Sequence, residues 1–287
     1  MSKIIVVVET GADVPVDVAK ELNIHIVPMH VEFEDETFDD GTFPPERIPE
    51  YYQQSHKLPK TSGSTPHDFT VMFDKLQQEY PDSEILYLAY SAITTCSYQS
   101  AVIAAEGREH ITLIDTKQVS VGQGMIAITL AEMLQENPDM SLTEAVAVAN
   151  DLIDRASMCF LPDNLEFLRA GGRCSNAAAI VGSLLKLKPC IEILGGKLLA
   201  TKKYRGHMDK VIDQLIREYS EQYRLDRDCL WIIYTVGLAD SVHAAAEAAA
   251  TDCGFAKVRW VRAGGVITTH GGPAAIGMAG FRANHNH

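Results

Sequence analysis

The chain has few positive charges and few aromatic residues. Its 287 residues include 25 lysines and arginines against 38 aspartates and glutamates, so the formal net charge is −13, and only 7% of the residues are aromatic. A strongly negative protein repels nucleic acid and anionic membranes, so neither is expected as the main partner. Hydrophobic residues make up 46% of the chain, which excludes wholesale disorder and allows two ordinary domains with a sizeable core.

The sequence also lacks paired cysteines and long apolar runs. Its six cysteines include no C-x-x-C pair, and most of them lie in apolar segments, so we interpret them as small core residues. The apolar run at residues 4–8 is too short for a signal peptide and leads at once into a polar turn. No apolar stretch approaches the roughly 20 residues that span a membrane. We therefore expect a cytoplasmic protein without stable membrane insertion.

Several familiar catalytic and cofactor motifs are absent. There is no G-x-S-x-G nucleophile elbow, no Walker A loop and no H-E-x-x-H pair, and none of the ten histidines forms a pair at metal-ligand spacing beside carboxylates. Gly122 and Gly124 fit a dinucleotide-binding G-x-G-x-x-A pattern, but a true fingerprint follows its strand immediately, and this one is separated from Asp115. We interpret these glycines as helix-packing positions, and we expect neither a metal nor a cofactor.

In the first half of the chain, short apolar runs alternate with helical segments. The pattern predicts strands at residues 4–8, 24–33, 84–89 and 111–115. Strands that alternate with helices are typical of a parallel sheet covered by helices on both faces. We therefore expect an N-terminal parallel α/β domain over residues 1–157.

The second half of the chain has a different pattern. After a change of composition near residues 151–162, residues 189–203 are predicted to form an antiparallel hairpin around the two-glycine turn Gly195-Gly196. Further apolar strands and an alanine-rich helix follow this hairpin. We expect a C-terminal mixed α+β domain over residues 158–283.

Four short segments, predicted to be loops, are rich in hydroxyl side chains and glycine, with one histidine, and each lies next to an apolar run. They are residues 61–66, 91–100, 170–173 and 268–273. This composition suits a neutral hydrogen-bonding end of an apolar pocket better than a phosphate or metal site.

The segment at residues 91–100 follows a predicted strand, and ligands of parallel sheets bind outside the carboxyl ends of the strands. Ser91, Thr95 and the free N–H groups of the following helix are therefore placed where an acid group could be held. The alternative is that Thr95 caps its helix and Ser91 closes a turn. His270, flanked by hydroxyls and glycines, is predicted to be exposed in a cleft rather than buried in the core.

Taken in order, these segments match a family pattern over nearly the whole chain. Residues 60–66 match K-T-S-Q-P-S-P, residues 91–101 match S-S-G-L-S-G-T-Y-Q-S-A, and residues 270–273 resemble H-x-G-P. Further matches lie at residues 8–15, 115–124, 165–175 and 187–189. Each match is weak alone, but their order and spacing together resemble the DegV family of bacterial fatty-acid-binding proteins.

The resemblance implies two α/β domains, the N-terminal one Rossmann-like and of the EDD type, with one long-chain fatty acid in an apolar tunnel between them. Because Ala92 replaces the family's second serine, Thr95 and the Ala92 backbone are included as compensating contacts. By position, the residues expected to bind the carboxyl are Thr61, Ser62, Ser91, Ala92 (backbone), Thr95 and His270. The protein itself would perform no covalent chemistry.

Some members of the family serve a fatty-acid kinase, which phosphorylates the bound acyl group to an acyl phosphate. The resemblance then implies that Arg173 meets the phosphate and that Arg205 contacts the kinase. The basic strip at residues 186–210 is either a docking patch for an acidic ligand or partner or an ordinary solvated surface. The pocket walls are expected to include residues 177–185, which could equally be ordinary core.

Departures from the family pattern leave two alternatives open. Ala92, Ile93 and Cys96 replace a serine and two glycines, which would reshape the pocket mouth and favour another lipid or apolar ligand. The second alternative is an acyl hydrolase or transferase that uses His270 as a base, although no nucleophile elbow accompanies it.

Overall fold

Strands and helices alternate along the chain in the computed structural model, which describes residues 3–34, 36–163, 165–174 and 187–283. The strands in these ranges are β1 (Ile4–Glu9), β2 (Ile24–Val27), β3 (His30–Phe33), β4 (Glu36–Asp39), β5 (Lys60–Ser62), β6 (Glu84–Ala89), β7 (Ile111–Asp115), β8 (Ala156–Leu161), β9 (Leu187–Leu194), β10 (Lys197–Arg205), β11 (Leu230–Tyr234), β12 (Val258–Arg262) and β13 (Ile276–Phe281). The helices there are α1 (Val16–Glu21), α2 (Arg47–Ser55), α3 (Pro66–Glu79), α4 (Ser97–Ala105), α5 (Ser120–Glu136), α6 (Leu142–Arg155), α7 (Leu165–Gly171), α8 (Met208–Gln222), α9 (Asp240–Asp252) and α10 (Gly265–Gly271). None of these helices is long and apolar enough to cross a membrane.

The N-terminal half contains a parallel sheet in the strand order β2-β1-β6-β7. Every residue of β1 is buried, as expected for a strand with helices on both faces of its sheet. Val6 belongs to a core cluster with Met125 of α5, and Val7 belongs to another with Phe73 of α3. The predicted parallel α/β architecture of this half is therefore confirmed.

One predicted strand is wrong. Residues 24–33 form two strands, β2 and β3, which lie in different sheets. Pro28 has no N–H to continue the ladder, and the Met29 N–H donates to Thr10 Oγ1 at 3.0 Å instead. β3 pairs with β4 and β5 in a small antiparallel sheet, which places Thr61 opposite Val31.

The C-terminal half contains a mixed sheet in the order β10-β9-β8-β13-β11-β12. The predicted hairpin is confirmed, because β9 and β10 pair antiparallel. Gly195 and Gly196 in its turn have φ values of 55° and 82°, a conformation that favours glycine. The last strand of the parallel sheet is β7, and the first strand of the mixed sheet is β8, which begins at Ala156 directly after α6 ends at Arg155. The domain division between residues 157 and 158 stays a proposal.

Helix α5 joins the two halves. It contacts β1 of the first sheet and β8, β11 and β13 of the second, and one core cluster includes residues of both halves. A Cβ at Gly124 would lie 2.4 Å from the Ala12 carbonyl oxygen, and one at Gly122 would lie 3.0 Å from Met158 Sδ. The two glycines therefore allow close packing of α5, which is the role expected for them from the sequence.

Candidate functional site

Two cavities meet between the halves of the protein. The apolar lining of the first, the apolar cavity, includes Val119, Met158, Phe160, Ile233, Ala275 and Ile276. The polar lining of the second, the hydroxyl cavity, includes Thr61, Ser62, Thr94, Thr95, Arg173 and His270. Tyr90, Leu198 and His270 line both cavities.

Thr61 and His270 form the centre of the hydroxyl cavity. Thr61 lies on β5, His270 lies in the last turn of α10, and Thr61 Oγ1 is 2.7 Å from His270 Nε2. The loop predicted around His270 is therefore wrong, because the helical hydrogen bonds of α10 extend past it and the Gly272 N–H closes the last turn on the Thr268 carbonyl oxygen. A Cβ at Gly171 would lie 2.2 Å from His270 Nδ1, so only glycine allows this approach.

The surroundings of His270 determine its charge and its tautomer. Burial and the positive charge of Arg173 lower the pKa of His270 to about 4, so the ring is neutral at pH 7. Nδ1 is buried and has no hydrogen-bond partner among the described residues. Because buried N–H groups without an acceptor are rarer than unpaired acceptors, the proton is assigned to Nε2, which then donates to Thr61 Oγ1. The Thr61 hydroxyl is left free to donate its own proton into the cavity.

Ser91 and Ala92 line neither of these two cavities. Ser91 is buried and its hydroxyl donates to the Gly196 carbonyl oxygen at 2.8 Å, whereas the N–H of the exposed Ala92 donates to Asp115 Oδ1 at 3.2 Å. The Ser91 hydroxyl thus fastens the loop after β6 to the turn between β9 and β10. The predicted residues that the structure does bring together around one cavity are Thr61, Ser62, Thr95, Arg173 and His270.

The two predicted basic contacts are far apart. Arg173 follows α7, is exposed and lines the hydroxyl cavity. Arg205 ends β10, and its separation from Leu198 of the cavity lining corresponds to roughly 23 Å along a strand at about 3.3 Å per residue. The pocket wall predicted at residues 177–185 lies outside the described residues.

Two buried acids hold α10 against the N-terminal half. Asp13 Oδ1 accepts the Gly264 N–H at 2.7 Å, and Asp40 Oδ1 accepts the Gly265 N–H at 2.8 Å. Ser120 Oγ lies within hydrogen-bond distance of the other Asp13 oxygen, at 2.5 Å. Burial raises the pKa of Asp13 to about 8 and also raises the pKa of Asp40. These bonds fix the helix that carries the imidazole.

The described part of the chain offers no metal site, since no group of three or more His, Cys, Asp and Glu side chains there could hold a metal ion. The polar groups of the hydroxyl cavity are hydroxyls, one imidazole and one guanidinium. Hydroxyl and guanidinium groups donate hydrogen bonds, so this set suits an acid group rather than a cation.

Comparison with known protein families shows which family the chain belongs to. A family model described as "Uncharacterised protein, DegV family" matches residues 3–282. The chain belongs to the DegV family. A DegV domain-containing protein of Deinococcus radiodurans is 29% identical over 282 residues, which cover 96% of this chain and 97% of the relative. A fatty acid-binding protein of Thermotoga maritima is 28% identical over 290 residues, which cover 96% of each chain.

A solved DegV structure shares the fold. The structure of a fatty-acid-binding DegV family protein from Thermus thermophilus matches with a TM-score of 0.87 at 27% identity, over 98% of this chain and 99% of the other. The predicted two-domain α/β fold is thereby confirmed.

Two residues that line both cavities, Tyr90 and Leu198, were not among the predicted site residues. Tyr90 directly precedes Ser91 at the carboxyl end of β6. Ligands of parallel sheets bind at that end of the strands, so the same argument that selected Ser91 applies to Tyr90. Leu198 lies in the predicted hairpin, but no pattern indicated that this hairpin folds over the cavity. Asp13, which accepts the Gly264 N–H before α10, was also missed. Its position within the family match at residues 8–15 was the one feature of the sequence that pointed to it.

Proposed function

We propose that this DegV protein binds one long-chain fatty acid, with the acyl chain in the apolar cavity and the carboxyl in the hydroxyl cavity. The observation that carries the proposal is that the two cavities meet at Tyr90, Leu198 and His270. An amphipathic ligand would find apolar and hydrogen-bonding surroundings in adjoining spaces. The related Thermotoga maritima protein is named a fatty acid-binding protein. Fatty acid is the only ligand we propose, and the cytoplasm is the proposed compartment.

The acyl chain supplies most of the binding free energy in this proposal. Burial contributes about 0.8 kcal/mol per methylene, so a chain of about fifteen methylenes gains on the order of 12 kcal/mol before costs. Association and ordering of the chain take back several kcal/mol, which leaves a micromolar or tighter affinity. The head group then needs only enough hydrogen bonds to avoid an unpaired buried acid.

Thr61 is the central donor to the carboxylate in this proposal. The imidazole of His270 donates to Thr61 Oγ1 and so directs the Thr61 hydroxyl proton toward the ligand. Ser62 and Thr95 add hydroxyls to the same cavity, and Ser91 contributes indirectly by positioning the loop. Neutral donors hold an acid less tightly than a bidentate arginine would, so the ligand can be released.

The surroundings of His270 favour binding over catalysis. A threonine hydroxyl 2.7 Å from an imidazole nitrogen resembles a nucleophile and its base. An efficient base has a pKa near the working pH and a third group that orients it. The pKa of His270 is about 4 and its Nδ1 has no partner among the described residues, so we do not propose a hydrolase or transferase.

We further propose that the bound carboxyl is presented to a fatty-acid kinase. In that reaction a carboxylate oxygen attacks the γ-phosphorus of ATP, an acyl phosphate forms and ADP leaves. Arg173, exposed beside the hydroxyl cavity, would pair with the phosphate. Arg205, at the far end of β10, would contact the kinase instead.

Arg173→Ala is expected to lower acyl-phosphate formation by a purified fatty-acid kinase subunit at least tenfold, because it removes a charge-assisted hydrogen bond of roughly 1.5–3 kcal/mol. Palmitate affinity, measured by calorimetry on the same preparations, should change less than about threefold. Arg169→Ala, which removes an exposed arginine of α7, is the matched control. Undiminished acyl-phosphate formation by Arg173→Ala would contradict its proposed role.

Thr61→Ala is expected to weaken palmitate binding about tenfold or more, since a hydrogen bond to a charged group contributes roughly 1.5–3 kcal/mol. Ser91→Ala should change the affinity less than about threefold and lower stability by about 1 kcal/mol, because its hydroxyl bonds protein rather than ligand. The double variant should remain folded and bind weakly. Calorimetric titration with palmitate and urea unfolding measure both effects, and wild-type affinity in the double variant would refute the head-group assignment.

A further inference from the structure

Tyr90 lies where the apolar cavity and the hydroxyl cavity meet, and it lines both of them. No hydrogen bond joins its hydroxyl to another described residue, although its backbone N–H donates to Glu9 Oε2 at 3.1 Å. Tyrosine hydroxyls in enclosed sites usually have a partner, and a donor without one costs free energy. The Tyr90 hydroxyl at this junction is therefore placed to donate a hydrogen bond to an oxygen atom of a ligand.

The other hydroxyls of the same loop have partners within the protein. Ser91 donates to the Gly196 carbonyl oxygen, and Thr94 Oγ1 donates to the Ser91 carbonyl oxygen at 2.9 Å. Thr95 Oγ1 lies 3.2 Å from Ser97 Oγ. The family's second serine is replaced by the exposed Ala92. The phenol one residue before Ser91 is therefore a donor in this part of the chain that no other described residue engages.

The ring of Tyr90 is held in one place. Its backbone is tied to Glu9, whose carboxylate also accepts the Tyr87 hydroxyl and the Gln123 amide. Beside the ring, a Cβ at Gly11 would lie 3.1 Å from Tyr90 Cε2, so the absence of a side chain there makes room for the ring. Burial, with the charges of Asp13 and Glu9, raises the pKa of Tyr90, so the hydroxyl keeps its proton and remains a donor.

We propose that the Tyr90 hydroxyl is a second positioning donor to the ligand's carboxylate, directed at the oxygen that Thr61 does not bind, and that it replaces the hydroxyl missing at Ala92. This inference rests on the proposed fatty-acid binding. A carboxylate accepts up to about four hydrogen bonds, so Thr61 and Tyr90 can both be satisfied. A phenol is a more acidic donor than an alkanol, and its bond to a charged oxygen is strong. Tyr90 would thereby favour ionised acids over uncharged long-chain lipids.

The test compares Tyr90→Phe with the wild-type protein for two ligands of equal chain length, palmitate and 1-hexadecanol. Tyr90→Phe removes only the hydroxyl and keeps the ring. Calorimetry or displacement of a fluorescent fatty acid should show palmitate affinity reduced about tenfold, as for hydrogen bonds to charged groups, with 1-hexadecanol affinity changed less than about threefold. Tyr98→Phe, on the partly buried face of α4, removes a phenol away from both cavities and should leave both affinities unchanged.

Each other outcome is informative. Equal losses for palmitate and 1-hexadecanol would mean that Tyr90 acts by packing and would overturn the inference. Unchanged palmitate affinity in Tyr90→Phe, with normal binding by the wild-type protein, would also overturn it and leave the proposed function intact. If the wild-type protein binds no palmitate, the proposed function fails and this inference fails with it.

Discussion

Ala275→Phe is expected to weaken palmitate binding by two to three orders of magnitude while the protein stays folded. Ala275 is buried and lines the apolar cavity, so a phenyl ring at this position would take space that the acyl chain uses. Excluding about five methylenes at about 0.8 kcal/mol each removes on the order of 4 kcal/mol, or roughly a thousandfold in affinity. Because the ring fills an existing cavity, the cost of overpacking stays below about 1–3 kcal/mol.

Calorimetric titration with palmitate and with octanoate measures this effect, and octanoate affinity should change much less because its chain is short enough to avoid the ring. Ala248→Phe, on the exposed face of α9, is the matched control and should bind palmitate normally. Palmitate affinity retained in Ala275→Phe would show that the acyl chain lies elsewhere.

Asp13→Asn is expected to stabilise the protein at neutral and alkaline pH. The pKa of Asp13 is raised from 3.8 to about 8 by burial, so the folded protein holds a proton that the unfolded chain releases. Its contribution to stability is therefore full below about pH 4 and is lost as the pH rises through 8. The stability lost between the unfolded pKa of 3.8 and pH 7 has an upper bound of about 4 kcal/mol, at 1.36 kcal/mol per unit. Asparagine can still accept the Gly264 N–H and donate to Ser120.

Urea unfolding of Asp13→Asn and wild type at pH 5, 7 and 8 measures the effect. The gain in stability should be small at pH 5 and grow to about 2–4 kcal/mol at pH 8. Burial lowers the pKa of His270 in the folded protein, so below pH 6.5 the unfolded chain takes up a proton at His270 before the folded protein does. This lowers the stability of both proteins equally and cancels in the difference between them. Asp139→Asn, an exposed position, is the control. Stability differences that do not vary with pH would refute the assignment of the proton to Asp13.

Local patterns predicted the parts of the fold that depend on local chemistry. The buried run of β1 identifies a covered strand because all of its side chains are apolar up to Glu9. Gly195 and Gly196 mark the β9–β10 turn because both adopt positive φ. The break at Pro28 was missed although a proline inside an apolar run is a local signal for it. What the sequence does not show is the partner of the next N–H, since Met29 donates to Thr10, which is distant in sequence.

The candidate site was predictable by residue type more than by role. The hydroxyls and the histidine at Thr61, Thr95 and His270 line one cavity, and their role in ligand binding stays a prediction. The role of Ser91 depends on Gly196, a residue of the other half of the chain whose approach no sequence pattern encodes. Tyr90 looks like an ordinary strand-end aromatic in the sequence, and its open hydroxyl becomes visible only once the neighbouring donors are assigned.

The most direct test of fatty-acid binding is native mass spectrometry of freshly purified protein, followed by solvent extraction and identification of the released molecule. We expect each chain to carry a mass increment equal to one C16 or C18 fatty acid, and added palmitate to fill any empty fraction. A protein that stays empty with excess palmitate, or that releases a different small molecule, would contradict the proposal.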